Sequence, residues 1–269
     1  MSNQVAMDES KIAKIKKAVR TSFEESPAIY QAFEDKYHFF RNLNSKLLAK
    51  MTIPAGARIL DVGCGTGASS IHMAQAVAES EVWGLDLSPA MLAAARERGA
   101  RLGRLHFVEG DGARPRDFVE GPFDAIIYSA SIFLIPDYLE SLKQAHEILK
   151  QGGQVGLTFI DGLYQRDGEN AFAVADRAAQ EGVNLNRPVK LAEFVDVFAA
   201  IFSNPRTWYE DLRLPVEVVR EFFSVPAMSA GLFPGLPYEE RVRKVQRLFD
   251  HVPDKGNYFR WNLMVGQVS

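Results

Sequence analysis

One segment constrains this chain more than any other: Arg58-Ile59-Leu60-Asp61-Val62-Gly63-Cys64-Gly65-Thr66-Gly67. An apolar run ends in an acid, and three glycines follow at alternate positions. Residues 68–78 then read as a helix. Glycine belongs where a backbone turns at positive φ or approaches a ligand with no Cβ in the way. A strand, a glycine loop and a helix in that order are how a parallel α/β sheet builds a nucleotide site. A second acid, Asp86 in Val82-Trp83-Gly84-Leu85-Asp86-Leu87-Ser88, follows at the distance where such sites hold a ribose.

Two cofactor classes use this arrangement. Gly63, Gly65 and Ala68 fit the dinucleotide pattern loosely. Three features favour S-adenosylmethionine instead. Asp61, two residues before the first glycine, repels a pyrophosphate but suits the positively charged methionyl end of a sulfonium cofactor. A third strand ends at Glu109-Gly110-Asp111-Gly112, where Asp111 can accept a hydrogen bond from an adenine amino group. A fourth strand, ending Ile127-Tyr128-Ser129, opens into the apolar loop 130–136.

The chain resembles the class I S-adenosylmethionine-dependent methyltransferases of small-molecule type. The resemblance rests on segments 59–67, 82–88, 108–112, 123–131 and 149–153, in that family's order and spacing. It implies that Asp61 and the loop residues Gly63, Cys64, Gly65 and Gly67 hold the methionyl part. It implies that Asp86 binds the ribose hydroxyls and that Asp111, beside Gly112, binds the adenine. Leu87 and Met91 would line the adenine pocket, and Ser129 would face the reacting end. A helix near the N-terminus often caps such sites, which brings Tyr30 or Tyr37 toward the cofactor.

From residue 57 onward strands and helices alternate. Strands are expected at 58–62, 81–86, 104–108, 123–128 and 153–160, with helices at 67–78, 89–98 and 137–150. Alternation of this kind implies parallel pairing through right-handed crossovers. Ser88-Pro89 is a helix start, serine as N-cap and proline at the first helical position. Gly152-Gly153 is expected to end the preceding helix. The fold class is therefore α/β, and the resemblance implies a doubly wound, mostly parallel, seven-stranded Rossmann-like sheet.

The flanks read differently. Residues 1–50 form a helical cap. Ile12, Ile15 and Val19 lie at helical spacing among five basic residues, which reads as a solvated surface helix, with membrane contact or substrate steering as the alternative. Ser26-Pro27 opens a further helix, on which Phe33, Tyr37 and Phe40 make an aromatic stripe. Residues 51–160 are the cofactor-binding core of one methyltransferase domain spanning 1–269. Helices are expected at 165–180 and 189–202, and strands at 206–212 and 258–268. The long insertions 161–205 and 213–257 read as substrate-facing additions, because long connections are usually functional.

Composition limits the partners. The 269 residues carry a net charge of −3, so nothing favours nucleic acid. A single cysteine excludes a disulfide framework and a cysteine-rich metal site; no metal is expected. Residues 1–10 are polar and acidic, and no apolar run is long enough to span a bilayer, which predicts a cytoplasmic protein without stable membrane insertion. Aromatics in the insertions suit a lid or a homodimer face.

Methyl transfer from a sulfonium releases a neutral thioether and needs no acid, so positioning dominates the catalytic demand. No catalytic residue stands out. His38 and His251 can approach a pocket, whereas His72, His106 and His146 read as structural. Tyr37, Phe133 and Tyr164 are the candidate substrate contacts, and a small, largely apolar or aromatic acceptor is expected. Two rivals remain: a protein that binds S-adenosylmethionine without methyl transfer, and a nicotinamide-dependent oxidoreductase.

Overall fold

The computed structural model describes residues 8–185, 190–253 and 256–269. Three helices open the chain: α1 (Glu9–Glu24), α2 (Pro27–Tyr37) and α3 (Phe39–Leu48). The core follows as β1 (Arg58–Val62), α4 (Ala68–Ala76), β2 (Glu81–Asp86), α5 (Pro89–Gly99), β3 (Leu105–Glu109), β4 (Phe123–Tyr128), α6 (Tyr138–Ile148) and β5 (Leu149–Tyr164). Then come α7 (Ala171–Ala179), α8 (Leu191–Ile201), β6 (Ser203–Leu212), α9 (Val216–Ser224), α10 (Pro226–Leu232), α11 (Tyr238–Phe249) and β7 (Tyr258–Gln267).

All seven strands form one sheet in the order β3-β2-β1-β4-β5-β7-β6. The five strands from β3 to β5 are parallel, and β7 runs antiparallel between β5 and β6. The order reverses beside β1, so the carboxyl ends of β1 and β4 diverge into a crevice, where open α/β sheets bind ligands. The expected α/β fold class is the observed one.

Local chemistry explains most boundaries. Ser88 Oγ accepts the Met91 N–H at 3.2 Å, so the expected cap at Ser88-Pro89 is present. Two expectations fail at glycine and histidine. Gly152-Gly153 does not end a helix: α6 stops at Ile148, and β5 begins at Leu149 with an irregular step against β4. Gly152 sits there at φ 75° and donates its N–H to Val268 O, so the glycine serves a bulge and not a helix cap. The aromatic stripe does not lie on one helix either. His38 adopts φ 49° and breaks the chain between α2 and α3. The Glu34 carboxylate then accepts the N–H groups of Phe40 and Arg41 at 2.9 and 3.1 Å, satisfying donors that a helix start leaves unpaired.

The helix expected at 165–180 is shorter because residues 165–170 form a turn, with Asn170 capping α7 through the N–H groups of Phe172 and Ala173. The next one begins at Leu191; Val189 of the expected 189–202 span lies outside the described residues. The segment after β6 forms three helices started by Pro215, Pro226 and Pro237, where the fixed φ of proline suits a helix start. Its phenylalanines join a large aromatic core. Phe222 packs on Phe33, Phe39 and Phe259 at centroid distances of 5.6, 5.2 and 5.4 Å. The N-terminal helices and the late insertion thus share one core with the edge of the sheet.

Candidate cofactor and acceptor cavities

The loop after β1 turns through Gly63, Gly65 and Gly67, all at positive φ. A Cβ on Gly63 would stand 2.5 Å from Ser131 Cβ, so only glycine fits between the first loop and the one after β4. Asp86, ending β2, ties the loop down: one carboxylate oxygen accepts the Gly65 N–H at 2.8 Å, the other the Ser88 N–H at 2.9 Å. Asp61 is fully buried. Its Oδ2 accepts Ser69 and Ser70 hydroxyls at 2.5 and 2.6 Å, while its Oδ1 has no hydrogen-bond partner.

Burial lifts the Asp61 carboxyl to about 6, against the two serine bonds that oppose the shift, and nearby Asp86 adds to it. Burial raises Asp86 as well, opposed by the N–H groups of Ser88, Gly65 and Leu87. Two desolvated carboxylates in one crevice favour a cationic ligand and disfavour a pyrophosphate. An unpaired buried carboxylate oxygen is costly, and an ammonium or sulfonium nearby would relieve it. The residues therefore fit S-adenosylmethionine, whose methionyl end carries both positive groups.

Two cavities meet at this edge of the sheet. The smaller, about 90 Å³, is lined by Tyr30, Gly63, Gly65, Asp86, Leu87, Asp111, Gly112 and Ser129 among others. These are eight of the residues expected to touch the cofactor. Asp61, Cys64, Gly67 and Met91 lie behind this lining. Met91 and Asp61 are fully buried, and the Cys64 thiol is pushed up by burial. They shape the loop from beneath. Tyr30 stacks on Phe40 at 4.9 Å, and burial raises its hydroxyl well above the ordinary range. Ser129 is 8% exposed, and its hydroxyl has no partner.

The larger cavity measures about 1120 Å³ by the same measure. Its walls are mainly apolar and include Phe133, Phe172, Phe222, Phe223 and Trp261. Val19, Phe23, Ala130, Leu134, Pro136 and Met228 line both cavities, so the two share a wall. Ala130 holds φ 57° there, with its N–H donated to Thr158 Oγ1 at 2.8 Å. This unusual backbone sets the start of the loop that continues into a 3-10 turn over Ile132–Leu134.

Of the expected substrate contacts, Phe133 lines the larger cavity; Tyr37 and Tyr164 line neither. Tyr37 packs on Phe33 at 5.0 Å with Lys36 over its ring, half-buried against the aromatic core. Tyr164 stacks on Tyr258 at 5.7 Å where β5 meets β7. Tyr37 ends α2 beside the break at His38, and Tyr164 ends the long strand β5. No described histidine lines either cavity. His38 is spent on the break between α2 and α3, and His72 bridges Asn44 and Ser45.

Helix α1 falls within the expected 1–50 helical cap and has no buried residue. It was expected to be a solvated surface helix, yet Lys16, Val19, Arg20 and Phe23 line the smaller cavity, and Ile12 and Ile15 the larger. Lys16 Nζ pairs with Asp111 at 2.5 Å and Arg20 with Glu109 at 3.4 Å. The 3-4 spacing of Ile12, Ile15 and Val19 was the available signal, but it does not say what the face covers.

Residues 59–153 match the family model of the methyltransferase domain. A demethylmenaquinone methyltransferase of Staphylococcus epidermidis is 32% identical over 142 residues, 49% of this chain and 58% of the relative. The chain therefore spans little more than half the length of the curated relatives it matches. Phosphoethanolamine N-methyltransferase 2 of Haemonchus contortus, solved with phosphomonomethylethanolamine and S-adenosylhomocysteine, superposes at TM-score 0.56 and 22% identity, covering 84% of this chain and 52% of that one. The cyclase SpnF superposes at TM-score 0.57 and 21% identity, covering 85% and 81%. At these identities the structural likeness is one of fold. Strand order, acid-glycine loop and family match together define residues 59–153 as a class I methyltransferase domain, the S-adenosylmethionine-dependent type. The antiparallel β7 between β5 and β6 separates it from the all-parallel dinucleotide sheet.

Proposed function

We propose that this chain transfers a methyl group from S-adenosylmethionine to a small, largely apolar or aromatic acceptor. The observation that carries the reading is the pair of adjoining cavities: an acid-rimmed one at the glycine loop and a large apolar one, with a common wall. The bound cofactor supplies an electrophilic methyl group. Asp86 and Asp111 hold its ribose and adenine, and Asp61, buried behind the lining with one oxygen unpaired, favours a positive group at the glycine loop. The 130–136 loop and α1 shape the junction and exclude water, so that the acceptor atom meets the methyl group without hydration. Glu9, Asp137 and Glu193 stand on the acceptor cavity, but no proton transfer is assigned to them.

Quinone-type rings are the first acceptors to test, since the curated relatives carry the name demethylmenaquinone methyltransferase and the cavity suits a flat apolar ring with a chain. The purified chain is incubated with S-adenosylmethionine and each candidate. A mass gain of one methyl group, with S-adenosylhomocysteine released in equal amount, supports the reading. Cofactor binding with no methylated product across apolar acceptors would favour the alternative of a binding protein. Binding of NADH in place of S-adenosylmethionine would favour the nicotinamide rival.

A further inference from the structure

The helix that covers the cofactor crevice is held on differently from the rest of the fold. No residue of α1 belongs to the buried core. Its Asp8 N-cap makes no side-chain capping bond. It leans mainly on α5 and α10. Its polar ties to the sheet are two ion pairs, Lys16–Asp111 and Arg20–Glu109, both at the carboxyl end of β3. Lys11, Lys14 and Lys17 on the same helix point to solvent.

We propose that Lys16 is a positioning residue of the cofactor site: acting through Asp111, it latches α1 over the crevice, so that cofactor exchange requires this pair to open. The inference rests on the S-adenosylmethionine reading above. Asp111 already accepts the Ala113 N–H at 2.9 Å through Oδ1 and Lys16 through Oδ2. An ionised carboxylate has about four acceptor sites, so an adenine amino group has room beside both. Lys16 thus orients the carboxylate that meets the base and closes the helix above it. Val19 and Phe23, one turn and two turns on, then form the wall common to both cavities. The side chains of the pair are 24% and 26% exposed, so the latch is partly screened by water and weakened by salt.

The test uses the full chain as wild type, Lys16→Met and Lys16→Arg, with radiolabelled S-adenosylhomocysteine as probe. Methionine keeps the length of the side chain and removes the charge; arginine keeps the charge. Release is expected to be roughly two- to fivefold faster for Lys16→Met at low salt, and near wild type for Lys16→Arg. Raising salt should speed release from the wild type toward the methionine variant. Equal release from wild type and Lys16→Met at both salt levels would overturn the latch while leaving the cofactor reading intact. Failure of the wild type to bind at all would sink the cofactor reading, and the role in exchange with it. Hydrogen exchange along α1 in the ligand-free chain gives an independent check. Faster exchange in Lys16→Met supports the latch, and unchanged exchange counts against it.

Discussion

Asp61 shows how one side chain carries several demands at once. It ends a buried strand, starts α4 through two serine hydroxyls and leaves one oxygen unpaired. Its carboxyl is lifted by burial from 3.8 to about 6. The folded chain therefore keeps this proton to higher pH than the unfolded chain does. The contribution to stability is greatest below about pH 4 and falls as pH rises through about 6, by about 3 kcal/mol in total. Asp61→Asn should flatten that fall in the ligand-free protein, read by urea unfolding across this window, while weakening cofactor binding. An unchanged pH profile would show that Asp61 is not the titrating group. Asp86 makes a second residue-scale case. Asp86→Ala removes the carboxylate that accepts two loop N–H groups and that the proposed function assigns to the ribose; S-adenosylhomocysteine binding should weaken roughly tenfold or more. Calorimetry giving the wild-type affinity would refute its assignment.

At the scale of elements, the site is built by pieces that do not themselves belong to the nucleotide motif. The loop after β4 must fit against Gly63, and α2 delivers Tyr30 to the crevice only because α3 anchors it. That anchor is aromatic: Phe39 and Phe40 of α3 and Phe222 of α9 pack at centroid distances of 5.1 to 6.0 Å. Phe222→Ala should cost about 3–5 kcal/mol in unfolding free energy, since it removes a buried ring that packs on Phe33, Phe39 and Phe259. It also widens the acceptor cavity, so acceptor specificity should loosen in the same variant. Equilibrium unfolding and a panel of acceptors of graded size read the two effects separately. At the other end of the range, Ser88→Ala removes one cap and should cost about 1 kcal/mol.

For the molecule as a whole, the division into two cavities predicts separable phenotypes. Phe133 lines the larger cavity, proposed for the acceptor, and packs on Phe159 and Trp261, but does not line the smaller one. Phe133→Ala should therefore raise KM for an apolar acceptor several-fold, with cofactor affinity near wild type. Loss of cofactor affinity in the same variant would show that the cavities do not act independently. No helix among the described residues is long and apolar enough to cross a membrane.

The sequence by itself determined the sheet core and the cofactor rim. The alternation of apolar strands and helices, the acid-glycine loop, and Asp86 and Asp111 at strand ends are local signals, each contained within a few residues. Parallel pairing of the core strands and a ligand crevice at their carboxyl ends follow from them by rules of connection. Only the tertiary structure decided what covers that rim. Lys16 and Asp111 lie 95 positions apart, and Phe33 and Phe222 are brought together from opposite ends of the chain. Tyr37 and Tyr164 carried the right chemistry but were turned elsewhere by one helix break and one long strand. A side chain's chemical type is written in sequence; the neighbour it faces depends on how distant elements pack, and no local pattern encodes that.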